Sequence, residues 1–170
     1  MEIREFVQGS LDRVKQTTTR VAEGLNQQEL AWRAGPECNS IGIILFHMAR
    51  FEDRFVQGRI QGKPEVWELE KWYEKLNLAS SETGGGYTPE QVVAFRVPEL
   101  KELMAYTGAV QARTLEYLKA MTDEELAKVV DLPRLGNPTV GVLFTLIITH
   151  LAQHAGEISY LRGVQRGANK

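Results

Sequence analysis

The segment VGVLFTLIITHLAQHAGEISYLRG, residues 140–163, reads as one long helix and sets the architecture. Val140, Leu143, Ile147, Leu151, Ile158 and Leu161 recur at three- and four-residue intervals, the period of one helical face. The helix starts at about Thr139. His150 and His154 fall in the middle of the apolar face. An i, i+4 pair projects from the same side one turn apart, which suits two imidazoles reaching for one ion.

A third imidazole has to come from another element, and the chain holds one more histidine, His47 in ILFHMAR. Taken singly, a histidine on an apolar face is ordinarily a core residue with a satisfied ring. Two on one face, a third on another amphipathic helix and none left over point instead to a shared divalent metal. Neutral imidazole nitrogens hold zinc, nickel, iron or copper, and three of them leave at least one coordination position for water or substrate.

Outward from these residues the chain is helical. Residues 3–25 place Ile3, Val7, Leu11, Val14, Val21 and Leu25 along one stripe, ending near Gly24. A connection comes next, in which Pro36 blocks a continuous helix and Trp32 has the bulk to anchor the loop. Asn39 or Ser40 can cap the next helix, whose stripe Ile41, Ile44, Leu45, Met48, Phe51 and Phe55 persists to about Ile60. His47 lies on its flank; Glu52 falls within the apolar face, and Asp53 points away from it.

Residues 62–87 break the pattern and end in Gly84, Gly85 and Gly86. A connection of that length can return the chain to the end it left, making the second and third main helices parallel. Trp67, Trp72 and Tyr73 mark it as a packed crossover or lid, with the glycines as a hinge. Thr88 followed by Pro89 and Gln91 is an N-cap, an N1 proline and a capping-box partner. Pro98 divides the third helical region into a short helix at 89–95 and a long one at 98–121, with Leu100, Leu103, Met104, Val110, Thr114, Leu118 and Met121 inward. Thr122 caps another turn, and Val129 and Val130 form a short extended piece. The fold class is all-α, four long helices around one core.

At 170 residues the chain is expected to be one domain, 1–170, with enough apolar surface to fold without disulfides or a structural metal. A net charge of −2 from 20 basic and 22 acidic residues gives no nucleic-acid footprint. No apolar run is long enough to span a membrane, and MEIREFVQGS lacks the core of a signal peptide. The lone cysteine, Cys38, excludes an intramolecular disulfide and fits a reducing, cytoplasmic setting. It is too far along the chain to join His47 at a metal and reads as a packed small residue.

NSIGIILFHMARFEDRF around His47 and THLAQHAGEISYLRG around His150 and His154 resemble the DinB/YfiT-like metal-binding four-helix bundles. The segment Leu30–Arg33, the long crossover and the Thr88 helix start are similar to members of that group. The resemblance covers essentially the whole chain. It implies an up-down-down-up bundle, a divalent metal on His47, His150 and His154, and a homodimer. It also implies thiol chemistry, since members include S-transferases using bacillithiol and isomerases using mycothiol.

A cation at an open position lowers the pKa of an incoming low-molecular-weight thiol, whose thiolate then attacks an electrophile. The same ligands can instead ionise water for hydrolysis, or hold an ion with no catalytic role. Glu52 and Glu157 are the candidate catalytic carboxylates. Glu157 follows His154 by three positions and can orient a ring or take a proton. For both, a salt bridge to Arg50, Arg54 or Arg162 is the plainer role.

Overall fold

The computed structural model describes residues 3–167, and among them there is no β-strand. The first long helix, α1 (Ile3–Ala22), buries Val7, Val14, Thr18 and Val21. Ile3, expected on the same stripe, is exposed at the outer end, where the stripe outruns the core. The connection holds a one-turn helix, α2 (Gln27–Ala31), closed by a reciprocal capping box between Asn26 and Glu29. Leu30 anchors it, with no exposed surface, whereas Trp32, expected to do so, is 37% exposed.

Helix α3 (Ile41–Asp53) is capped by the Ser40 hydroxyl and continues as a π-helical stretch, Arg54–Ile60. It is buried almost all round, not along one stripe: Ile41 to Phe46, Met48 to Arg50, Glu52 and Asp53 are all inside. Such a helix is the centre of its bundle. Two one-turn helices, α4 (Val66–Leu69) and α5 (Trp72–Lys75), lie in the crossover. Helix α6 (Pro89–Ala94) has the Thr88–Gln91 capping box read from the sequence. The long α7 (Leu100–Ala120), the short α8 (Asp123–Ala127) and the last helix, α9 (Val140–Arg166), complete the chain. Val129 pairs with Thr139 in an isolated antiparallel bridge just before α9.

Side-chain contacts give the helix directions. Phe46 and Glu52 of α3 meet Tyr106 and Thr114 of α7 in the same chain order, so α3 and α7 run parallel. Arg162 and Arg166 of α9 donate to the carbonyls of Val21 and Gly24, which brings the C-terminal ends of α1 and α9 together. His47 and Phe51 meet His154 and His150 in reverse order, so α3 and α9 are antiparallel. A single buried apolar cluster joins α1, α3, α7, α9 and the crossover.

The crossover is held from beneath by two charged residues of α3. Asp53, expected to face away from the core, is fully buried. Its two oxygens accept the backbone N–H groups of Val66 and Trp67, each at 2.9 Å, and the Tyr106 hydroxyl at 2.8 Å. Arg50 pairs with Glu65 at 2.8 Å, donates to the Glu82 carbonyl and lies over the Trp67 ring. Position on a helical wheel shows that Asp53 leaves the apolar stripe; the crossover covers that side too.

Candidate metal centre

The three histidines converge. His47 on α3 and His150 and His154 on α9 each offer a ring nitrogen, and these atoms all lie within 4.8 Å of one another. The ring centroids are 4.4–5.0 Å apart and the planes steeply inclined, so the imidazoles meet edge to face. All three are only partly buried, which leaves one side of the cluster open to solvent.

Groups outside the cluster fix two of the tautomers. His47 Nδ1 lies 2.8 Å from the Gly84 carbonyl oxygen. A carbonyl only accepts, so Nδ1 carries the proton and Nε2 presents its lone pair. His154 Nδ1 lies 2.7 Å from Glu157 Oε2, and donation to that carboxylate likewise leaves His154 Nε2 as the free donor atom. His47 Nε2 and His150 Nε2 are 2.8 Å apart. His150 has a different support: Phe51 stacks on its ring at 3.8 Å, and Phe55 stacks on Phe51 at 4.4 Å.

Burial, and then the neighbouring imidazoles, push the pKa of His150 down to about 4. Burial also lowers that of His47. Both rings are therefore neutral at physiological pH, the form in which a nitrogen can ligate. Three convergent ring nitrogens, with the outer N–H groups of His47 and His154 committed elsewhere, fit a divalent transition ion.

The glycines of the crossover, expected as a hinge, let the loop come close to α3. Gly84 has φ of +76°, which favours glycine, and a Cβ on it would meet the Arg50 side chain at 2.9 Å. A Cβ on Gly85 would meet His47 Nδ1 at 2.8 Å. The loop lies flat against the histidine ring because these residues have no side chains. The three-glycine run is the only signal in the sequence for this contact.

Of the two carboxylates, Glu157 is at the cluster, tied to His154 through Oε2. Removing its acceptor should free the His154 ring. Glu157→Ala is expected to lower metal affinity about 10–100-fold, measured by competition with a chromophoric chelator.

Glu52 is elsewhere. Five residues beyond His47, it is turned by about 140° around α3. It is buried, and its Oε1 accepts the Thr114 hydroxyl at 2.7 Å in a cavity that no histidine lines. It has no salt bridge among the described residues, contrary to the expectation of an arginine partner.

Burial pushes the Glu52 carboxyl up to about 7 from its ordinary 4.5. A raised acid pKa means that the folded protein holds the proton more tightly than the unfolded chain, so stability is highest in acid. Relative to Glu52→Gln, the wild type should lose about 3 kcal/mol as pH rises from the unfolded pKa through the folded one. Urea unfolding of both proteins on either side of that window measures the difference.

Cys38, expected to be packed, is an exposed free thiol. Among the described residues no helix is long and apolar enough to cross a membrane.

The sequence matches the DinB superfamily over residues 10–158. No curated protein matches the chain. A solved structure of a conserved protein from Enterococcus faecalis is similar, with a TM-score of 0.85 and 24% identity, over 96% of this chain and 97% of that one. At that identity the likeness speaks for the fold. The family match takes in α3, α7 and most of α9, including all three histidines, and the chain belongs to the DinB superfamily.

Proposed function

We propose that His47, His150 and His154 hold a divalent transition metal and that the protein is a metal-dependent S-transferase, joining a low-molecular-weight thiol to a small electrophile. The observation that carries this is the commitment of two Nδ1–H groups, to Gly84 and Glu157, which leaves Nε2 lone pairs facing a common point. When bound, the cation would lower the pKa of an incoming thiol and so supply a nucleophilic sulfur near neutral pH. Gly84 and Glu157 keep the ring protons on the outer edges and the rings in register. Phe51 restrains His150 from one face. The thiol proton leaves to water on the open side, a C–S bond forms and the bond to the electrophile's leaving group breaks.

Hydrolysis by the same ligands needs a carboxylate free to take a proton from water. Glu52 faces another cavity, and Glu157 Oε2 is occupied by His154. This arrangement favours sulfur transfer. Protein loaded in turn with zinc, nickel and iron should turn over electrophiles only when a thiol such as bacillithiol or mycothiol is present. Turnover without thiol, abolished by Glu157→Gln with metal retained, would assign the site to hydrolysis instead.

The exposed free Cys38 fits a reducing cytoplasm. On the outer face of α9, Val142, Leu146, Tyr160 and Val164 stand exposed, which supports a homodimer. Sedimentation velocity should then give twice the chain mass; a monomer at micromolar concentration contradicts it.

A further inference from the structure

On the side of α3 turned away from the histidines, a cavity of about 220 Å³ opens between α1, α3 and α7. Leu45, Met48, Leu118 and Leu151 give it apolar walls, and the exposed Asp12 and Lys15 stand among its outer lining. Four buried polar residues line it as well, Thr18, Glu52, Thr107 and Thr114. Glu52, 4% exposed, has one described hydrogen bond, from Thr114. Thr18, 3% exposed, has a hydroxyl with no hydrogen-bond partner among the described residues.

We propose that this cavity is a binding site for a small organic cation, a compact apolar body ending in a protonated amine that Glu52 and Thr18 receive. The chemistry comes from what the cavity offers and lacks. An ammonium group has three donors and no acceptor. The Glu52 carboxylate and the Thr18 hydroxyl oxygen are acceptors without enough donors. A buried carboxylate with no cation in contact is costly, and a ligand that brings the cation removes that cost.

An anionic ligand would face Glu52 and be repelled. At the rim Asp12 and Lys15 offset each other, so selection by charge falls to Glu52. The volume sets the size: an apolar cavity of about 150 Å³ accepts benzene, so this one has room for an arylalkylamine on the order of nine non-hydrogen atoms. The site shares none of its lining residues with the histidine cluster and is independent of metal.

Calorimetric titration of the full chain with 2-phenylethylamine, 2-phenylethanol and 3-phenylpropionate tests this. The amine should bind one to one, roughly tenfold or more tighter than the alcohol, with no binding of the carboxylate. Glu52→Gln, close to isosteric, should lose about tenfold in amine affinity, and Thr18→Val, which keeps the side-chain shape, should lose a smaller factor. Chelation of all metal should leave the affinity unchanged. The proposal is overturned by equal binding of amine and alcohol, by full amine affinity in Glu52→Gln, by loss of binding on chelation, or by no amine binding at millimolar concentration.

Discussion

His47→Ala should leave the purified protein without stoichiometric metal while its helical content and cooperative unfolding persist. His47 is the only ligand that α3 contributes to the cluster, so its loss leaves two nitrogens on one helix. Loss of a direct ligand should exceed the effect of loosening its support, and the expected loss of affinity is more than about 100-fold. Folding should not depend on the site, because the apolar cluster joining the helices contains none of the three histidines.

A ligand that binds only the folded state at a hundred times its Kd stabilises by about 2.7 kcal/mol, which at this chain length raises Tm by roughly 5–11 °C. Added zinc should shift the wild type by about that much and leave His47→Ala unmoved. Elemental analysis with thermal melts in chelator and in metal gives both readouts. Full metal content in the variant would remove His47 from the site.

Asp53→Ala should be the most damaging single change outside the apolar core, costing about 3–5 kcal/mol. The substitution takes the acceptor from two backbone N–H groups at the start of α4 and from the Tyr106 hydroxyl, all buried. It also withdraws the carboxylate that lies 3.5 Å from the buried Arg50 guanidinium. Some of the cost is offset, because burial raises the Asp53 pKa and the variant no longer buries that charge.

Because Arg50 also holds the Glu82 carbonyl and Gly84 rests on Arg50 and His47, the damage should spread along the crossover to the histidine cluster. Chemical denaturation measures the stability loss, and a weakened metal affinity in the variant reports the spread. Asp53→Asn keeps one carbonyl acceptor and should cost less. An Asp53→Ala protein as stable as the wild type would show that the crossover is held by its tryptophans alone.

Much of the fold is legible from local patterns. The capping box at Thr88, the cap at Thr122, a cap at Asn39 or Ser40, the helix start near Thr139 and the extent of the four long helices come from residue spacing, which a chain carries in its own neighbourhood. The histidine trio is legible for the same reason, since His150 and His154 share a face at one-turn spacing and His47 has no companion elsewhere.

The failures have a common cause. The bulk of Trp32 argues for a place inside, yet the smaller Leu30 fills the position that α2 presents to the core. For Glu52 and Asp53 a helical wheel gives the direction of the side chain and not what stands there. In the folded protein α1 and α7 cover Glu52, and the crossover covers Asp53.

Periodicity, capping residues and the histidine spacing therefore specified the helices and the donor set, because each depends on residues a few positions apart. Which carbonyl takes the His47 proton and which cavity receives Glu52 depended on packing between segments far apart in the chain. Gly84 reaches His47 across 37 residues, and Glu52 meets Thr114 across 62. Such contacts arise when separate faces compete to leave water, and no local pattern records the outcome.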